Sequence, residues 1–142
     1  MPIRTAEAQW LGNLREGDGT MKLQSGAYEG PYTFGSRFEE DKGSNPEELI
    51  AAAHAGCFSM QLSGVLTRAG FAPTRISTTA SVHLERVGEG FSITRIDLNT
   101  EAEIPGIEDA QFQELAETAK KTCPISRALG AIEDIRVEAK LL

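Results

Sequence analysis

The hydrophobic positions change their period along the chain, and each change marks an element. Near the N-terminus Ala6, Ala8 and Trp10 alternate with Thr5, Glu7 and Gln9, the period of a half-exposed strand. Met21 and Leu23 repeat that alternation after the Gly17-Asp18-Gly19 turn. Residues 25–43 are rich in Gly and Tyr and carry Pro31, which predicts a weak strand and a loop.

The period then lengthens. Asn45 suits the N-cap, Pro46 the first helical position and Glu48 the third, where it closes a capping box. These signals predict a helix over residues 46–69, stopped by Gly70 and Pro73. Glu47, His54, Gln61 and Arg68 recur every seven residues as one narrow polar stripe. Leu49, Ile50, Ala52, Ala53, Phe58, Met60, Leu62, Val65 and Leu66 cover the other faces. A helix apolar on nearly every side is a buried one. A small domain has trouble covering such a helix alone, so a partner subunit is expected over part of it.

Period two returns afterwards. Ile76, Thr78, Ala80, Val82 and Leu84 share one face, and the Gly88-Glu89-Gly90 turn makes a hairpin. In its second arm Phe91 and Ile93 are in phase, whereas Ile96, Leu98, Thr100 and Ala102 are one residue out, which predicts a bulge near Thr94-Arg95. Phe112, Leu115, Ala116 and Ala119 have helical spacing over residues 109–122, with acids early and Lys120-Lys121 late, as the helix dipole favours. Cys123-Pro124 breaks that helix. A short turn or helix to Gly130 leads to a last strand with Ile135, Val137, Ala139 and Leu141 on one face. The order of strands, helix, hairpin, helix and strand is that of an α+β domain.

Composition narrows the partners. The 142 residues fit one domain, 1–142, with a real core. A formal net charge of -7 argues against nucleic acid and against anionic membrane surfaces. No apolar run follows Arg4, which predicts no signal peptide. The most apolar stretch, residues 49–66, is interrupted by His54, Ser59, Gln61 and Ser63, which speaks against a membrane span. A cytoplasmic protein is the expectation. A permanent disulfide is then unexpected, and two histidines without a CxxC support no zinc site. On composition alone, Cys57 and Cys123 read as two inert core thiols.

Helix position changes that reading for Cys57. It lies beside the polar stripe, between His54 and Gln61, at a boundary rather than deep in the apolar face. A thiol of pKa about 8.5 is only a few per cent thiolate at neutral pH, and the thiolate is the nucleophile. Lowering the pKa by about 2 units takes roughly 2.7 kcal/mol of preferential stabilisation of the anion. Cys57 is some three turns inside its helix, too far for the helix N-terminus to supply this. A cation must come from elsewhere. His54 is the local candidate, and Arg37, in the segment before the helix, is another; a polar stripe residue and a solvated surface charge are the bland readings of the two.

Arg37-Phe38, the run GSNPEELIAAAHAGCFSM over residues 43–60, and Thr122-Cys123-Pro124-Ile125-Ser126 together resemble the OsmC/Ohr family of hydroperoxide reductases. Trp10 in the first strand and the element order agree with it from end to end. The position of Arg37 resembles the OsmC branch, since Ohr proteins carry their active-site arginine nearer the N-terminus. The resemblance implies an OsmC-like fold of antiparallel sheets wrapped around a long buried central helix, in an intertwined homodimer with active sites at the subunit interface. It implies that Cys57 is the peroxidatic cysteine and Cys123 the resolving one. Arg37 would stabilise the thiolate and position the peroxide, and Glu47 would hold Arg37. It implies no metal or organic cofactor, a preference for organic hydroperoxides over hydrogen peroxide, and a dithiol reductant such as a lipoyl protein. Gly56 stands where many relatives have alanine.

Helix geometry tests one of these implications. Ten helical residues separate Glu47 from Cys57 by about 15 Å. Either the helix is interrupted, or the Arg37–Glu47 pair serves Cys57 of another subunit; the apolar helix favours the second. Phe58 and Met60 are the expected apolar lining for an alkyl tail. Two other readings share the same thiols: a peroxide-sensing redox switch without turnover, and a structural or ligand-binding dimer with inert cysteines.

Overall fold

The alternation in the first fifty residues builds a three-stranded antiparallel sheet, β1 (Ala6–Leu11), β2 (Asp18–Leu23) and β3 (Glu29–Thr33), in that order. Trp10 and Tyr32 both lie opposite Gly19, and their rings meet with centroids 5.2 Å apart. A side chain at Gly19 would run into both rings, at 2.5 and 2.7 Å, so glycine is what lets them close over the strand. The computed structural model describes Met1–Leu142, and its contacts gather into two compact units, Met1–Leu49 and Ile50–Leu142.

Where the sequence predicts only a loop after β3, the chain makes one helical turn, α1 (Phe34–Phe38). Thr33 and Ser36 cap it reciprocally: each backbone N–H donates to the other's hydroxyl, at 2.8 and 3.0 Å. A five-residue helix is too short for any periodicity to reveal. Ser44 then donates its backbone N–H to the Pro31 carbonyl, and Asn45 donates its amide to the Ser36 carbonyl. This return places Asn45 as N-cap of the long helix, with its Oδ1 accepting the Glu48 N–H at 2.7 Å.

That helix, α2 (Pro46–Arg68), begins in the first unit and runs unbroken through the second. It ends at Gly70, whose φ of +93° is the left-handed value that glycine adopts freely. In the second unit β4 (Arg75–Val87) and β5 (Gly90–Glu103) form the expected hairpin. Its register slips where His83 faces Arg95 and Leu84 faces Ile93, so Thr94 is the bulged residue. α3 (Asp109–Thr122) and α4 (Pro124–Ala128) follow, then β6 (Asp134–Leu141). One pairing departs from the antiparallel expectation: β6 runs parallel to β5. The α3–α4 segment is a crossover long enough to bring the chain back to the same end of the sheet, which a short hairpin turn cannot do.

The core of this unit joins one face of the sheet to two helices. Phe58, Leu62, Val65 and Leu66 of α2 pack with Ile96, Leu98 and Ala102 of β5 and with Phe112, Ala116 and Ala119 of α3. Each fully buried Phe or Leu contributes about 1.5–3 kcal/mol. The opposite face of α2 is not covered within the chain: Ala52, Ala53, Gly56 and Met60 are exposed, Met60 to 79%. By length and a mean hydropathy of 1.4, α2 could cross a membrane, a test that core helices also pass. Three of its polar side chains are engaged within the same unit: His54, Ser59 and Gln61 bond to Ser126, Thr78 and Thr122.

Candidate active site

In the first unit the capped turn of α1 and the first turn of α2 bring Arg37 to Glu47. The Arg37 Nε donates to both carboxylate oxygens at 3.2 Å, and Nη2 donates to Oε1 at 2.8 Å. Glu47 is mostly buried, and Arg37 is about one-third exposed, with its guanidinium 5.2 Å from the Phe38 ring centroid. No hydrogen bond engages Nη1, so Glu47 fixes the plane of the guanidinium and leaves three of its five N–H donors uncommitted, two on Nη1 and one on Nη2. Beside it an open groove of about 400 Å³ is lined by Trp10, Leu14, Tyr32, Phe34, Arg37 and Phe38.

In the second unit Cys57 and Cys123 come together. The Cys123 thiol donates to Cys57 Sγ at 2.9 Å, and both cysteines are free. A disulfide needs about 2.05 Å between sulfurs, so less than an ångström of further approach would join them. Cys123 is fully buried and Cys57 partly so. Pro124 explains how Cys123 reaches inward. A residue before proline is driven out of the helical region, and Cys123 has ψ 121° at the junction of α3 and α4.

Nothing in the second unit favours the Cys57 thiolate enough to offset burial. Desolvation pushes its pKa up, and the hydrogen bond and charge of Cys123 add to the rise. Only the Ile125 N–H, which donates to the sulfur, acts the other way. Within this unit the Cys57 thiol is therefore held toward its neutral form.

Two members of the polar stripe, His54 and Gln61, lie on either side of Cys57 along α2. His54 is fully buried, and its Nε2 lies 2.6 Å from the Ser126 hydroxyl. Burial holds its pKa below the ordinary 6.5, so it is a neutral ring and supplies no charge to Cys57. Its Nδ1 is buried without a partner. Gln61 Nε2 donates to Thr122 Oγ1 at 2.8 Å. Sequence reasoning gave Thr122 and Ser126 no part beyond their place in the Thr122–Ser126 run. The signal that could have found them is the seven-residue stripe, which sets His54 and Gln61 on either side of Cys57, and a matching pair of hydroxyls around Cys123. Phe58 is fully buried and lines no surface, which corrects its expected place beside an alkyl tail; Met60 is exposed. The other histidine, His83, is engaged by Asp97 at 2.7 Å in a cluster with Arg95. No group of three His, Cys, Asp or Glu side chains could hold a metal ion.

A family model described as OsmC-like protein matches residues 39–138. The chain belongs to this family. It is 49% identical over 129 residues to the peroxiredoxin OsmC of Escherichia coli, covering 90% of each chain. It is 32% identical over 94 residues to the organic hydroperoxide resistance protein of Xanthomonas axonopodis, covering 66% of this chain and 64% of that one. Among solved structures, an organic hydroperoxide resistance protein from Elizabethkingia anophelis superposes with a TM-score of 0.70 at 26% identity, covering 99% of this chain and 96% of the other.

Proposed function

We propose that this protein is a cysteine-based hydroperoxide reductase that turns over through a Cys57–Cys123 disulfide. The observation that carries the reading is the thiol pair itself: two free cysteines 66 positions apart meet at 2.9 Å, one of them partly open to the surface. The relatives named as a peroxiredoxin and as organic hydroperoxide resistance proteins support the same chemistry.

The Cys57 thiolate attacks the terminal peroxide oxygen. The O–O bond breaks, the sulfur becomes a sulfenic acid, and the alkoxide leaves as the alcohol after taking a proton. The Cys123 sulfur then bonds to Cys57 as the S–O bond breaks, and water departs with the Cys123 proton. An external dithiol restores both thiols by exchange, becoming a disulfide itself.

Arg37 is the cation, and it acts on a second copy of the chain. The helix is unbroken, so Glu47 and Cys57 of one chain are about 15 Å apart along it. An arginine clamped at Glu47 thus serves another chain's thiolate, in a homodimer that also covers the exposed Ala52, Ala53, Gly56 and Met60 of α2. Its uncommitted N–H donors bind the thiolate and the peroxide oxygens, and the aromatic groove beside it receives an organic tail. Organic hydroperoxides are accordingly the preferred substrates.

The test follows consumption of cumene hydroperoxide and of hydrogen peroxide with dihydrolipoamide as reductant. Wild type is expected to turn over many times and faster with cumene hydroperoxide. Cys57→Ser is expected to be inactive, and Cys123→Ser to react once and stop with the disulfide reductant. Full activity in Cys57→Ser would end the proposal, and a single turnover in wild type would leave a redox switch instead.

A further inference from the structure

His54, Ser126, Gln61 and Thr122 bracket the two sulfurs, and none of them has a part in the chemistry above. His54 lies one turn before Cys57 and Gln61 one turn after it, while Thr122 and Ser126 flank Cys123. The His54–Ser126 contact is buried on both sides and short, at 2.6 Å.

Cys123 depends on such anchoring. It belongs to neither helix: its N–H closes α3 on the Ala119 carbonyl, and its carbonyl accepts the Arg127 N–H at the start of α4. A five-residue helix has little stability of its own, so α4 and the cysteine before it are held from outside. Ser126 is the buried polar side chain of α4, and His54 is its partner.

Stability does not account for the histidine. The ring is buried and neutral, and it leaves Nδ1 without a hydrogen bond. An apolar pair of similar volume in place of both His54 and Ser126 would fill the space without an unpaired nitrogen. What the histidine adds is direction, by tying the segment after Cys123 to the helix turn before Cys57.

We propose that His54 is a positioning residue that, through Ser126, holds Cys123 against Cys57 and so decides whether the Cys57 sulfenic acid closes to a disulfide or is oxidised again. The inference rests on the peroxidase reading. The sulfenic acid has two fates. In closure the S–S bond forms, the S–O bond breaks, and water leaves with the Cys123 proton. In overoxidation the sulfenic sulfur attacks a second hydroperoxide; the O–O bond breaks, and sulfinic acid and alcohol result. Closure depends on the placement of the two sulfurs, whereas overoxidation depends on peroxide concentration.

Their competition is the readout. Reduced protein is mixed with rising cumene hydroperoxide, and intact-mass spectrometry gives the fractions of disulfide and sulfinic acid. Ser126→Ala is expected to lower the peroxide concentration that leaves half of Cys57 as sulfinic acid by about five- to tenfold, as expected for loss of one buried hydrogen bond. Ser126→Thr, which keeps the hydroxyl, restores the wild-type midpoint. His54→Phe, which keeps the ring volume, lowers the midpoint as Ser126→Ala does and covers the case in which that variant folds poorly. Wild-type midpoints in both Ser126→Ala and His54→Phe would overturn the inference while leaving the peroxidase reading intact. A wild-type protein that forms neither product would overturn both.

Discussion

The Arg37–Glu47 pair and the Cys57–Cys123 pair are built by opposite means. The first is ionic and open: a three-bonded ion pair whose arginine is about one-third exposed. The second is neutral and more enclosed: two thiols in contact, Cys123 buried and Cys57 partly so, flanked by uncharged hydrogen bonds, with burial pushing Cys57 up. Arginine keeps its charge wherever it is placed, so it tolerates an exposed clamp without losing its function. A thiolate is another matter, since the burial that protects a sulfenic acid from water also disfavours the anion that makes it. Under the proposed mechanism, keeping the charge apart from the thiol gives each group an environment that suits it.

Breaking the charged half has the largest expected effect. Arg37→Met should lower kcat/KM for cumene hydroperoxide by about a hundredfold, the usual scale for removing one preorganised donor set from a charged transition state. Arg37→Lys should recover only part of this, because an ammonium cannot keep the forked bond to Glu47 while reaching the thiolate. The sharper version mixes Arg37→Met with Cys57→Ser. If the arginine acts between copies, half of randomly paired dimers carry one intact site of two, and activity should return to about a quarter of wild type. Mixtures no more active than the separate variants would sink the assignment of Arg37 to a second copy.

How much of this was legible before folding differs between the two halves. The thiol half was nearly complete: the α2 caps, the stop at Gly70, the α3 bounds, and the break at Pro124 all follow from local backbone chemistry. The bulge at Thr94 was readable too, because a slipped period exposes an extra residue. The charged half was less so. The five-residue turn of α1 leaves no periodicity, and its Thr33–Ser36 capping box stands in a segment whose Gly and Pro content predicts a loop. The parallel pairing of β6 escaped because alternation fixes which face a strand buries but not its direction. Ser126 and Thr122 were hidden for a related reason: their partners are 72 and 61 positions away. Only the stripe on α2 hinted at them.

The neutral half can be broken with protons. His54 takes its proton near 6.5 in the unfolded chain and lower in the folded one. Between those values the unfolded state binds more protons, so stability is full above about pH 6.5 and falls as pH drops below it. The slope is at most about 1.4 kcal/mol per pH unit, and it ends once the pH passes the folded value. Urea unfolding from pH 7.5 to 5.5 should show this loss in wild type and not in His54→Phe. Asp97 and Asp134, both below the ordinary 3.8, titrate further down and should leave the same acid limb in both proteins. An unchanged slope in His54→Phe would mean that another group carries the proton.

The smallest effect separates the two members of the bracket. Gln61 and Thr122 make a hydrogen bond of ordinary length, 2.8 Å, but in contact with water. Water replaces an exposed partner almost in full, whereas a buried one is left unsatisfied. Thr122 also keeps its bond to the Thr118 carbonyl, so the α3 end does not loosen when Gln61 is removed. Gln61→Ala should therefore change stability by less than about 0.5 kcal/mol. Its sulfinic acid midpoint should move by less than about twofold, against about five- to tenfold for Ser126→Ala. If Gln61→Ala matched Ser126→Ala, burial would not be what gives the His54 bond its hold on Cys123. The two bonds would then act as one hinge, and double substitution would add nothing beyond either single change.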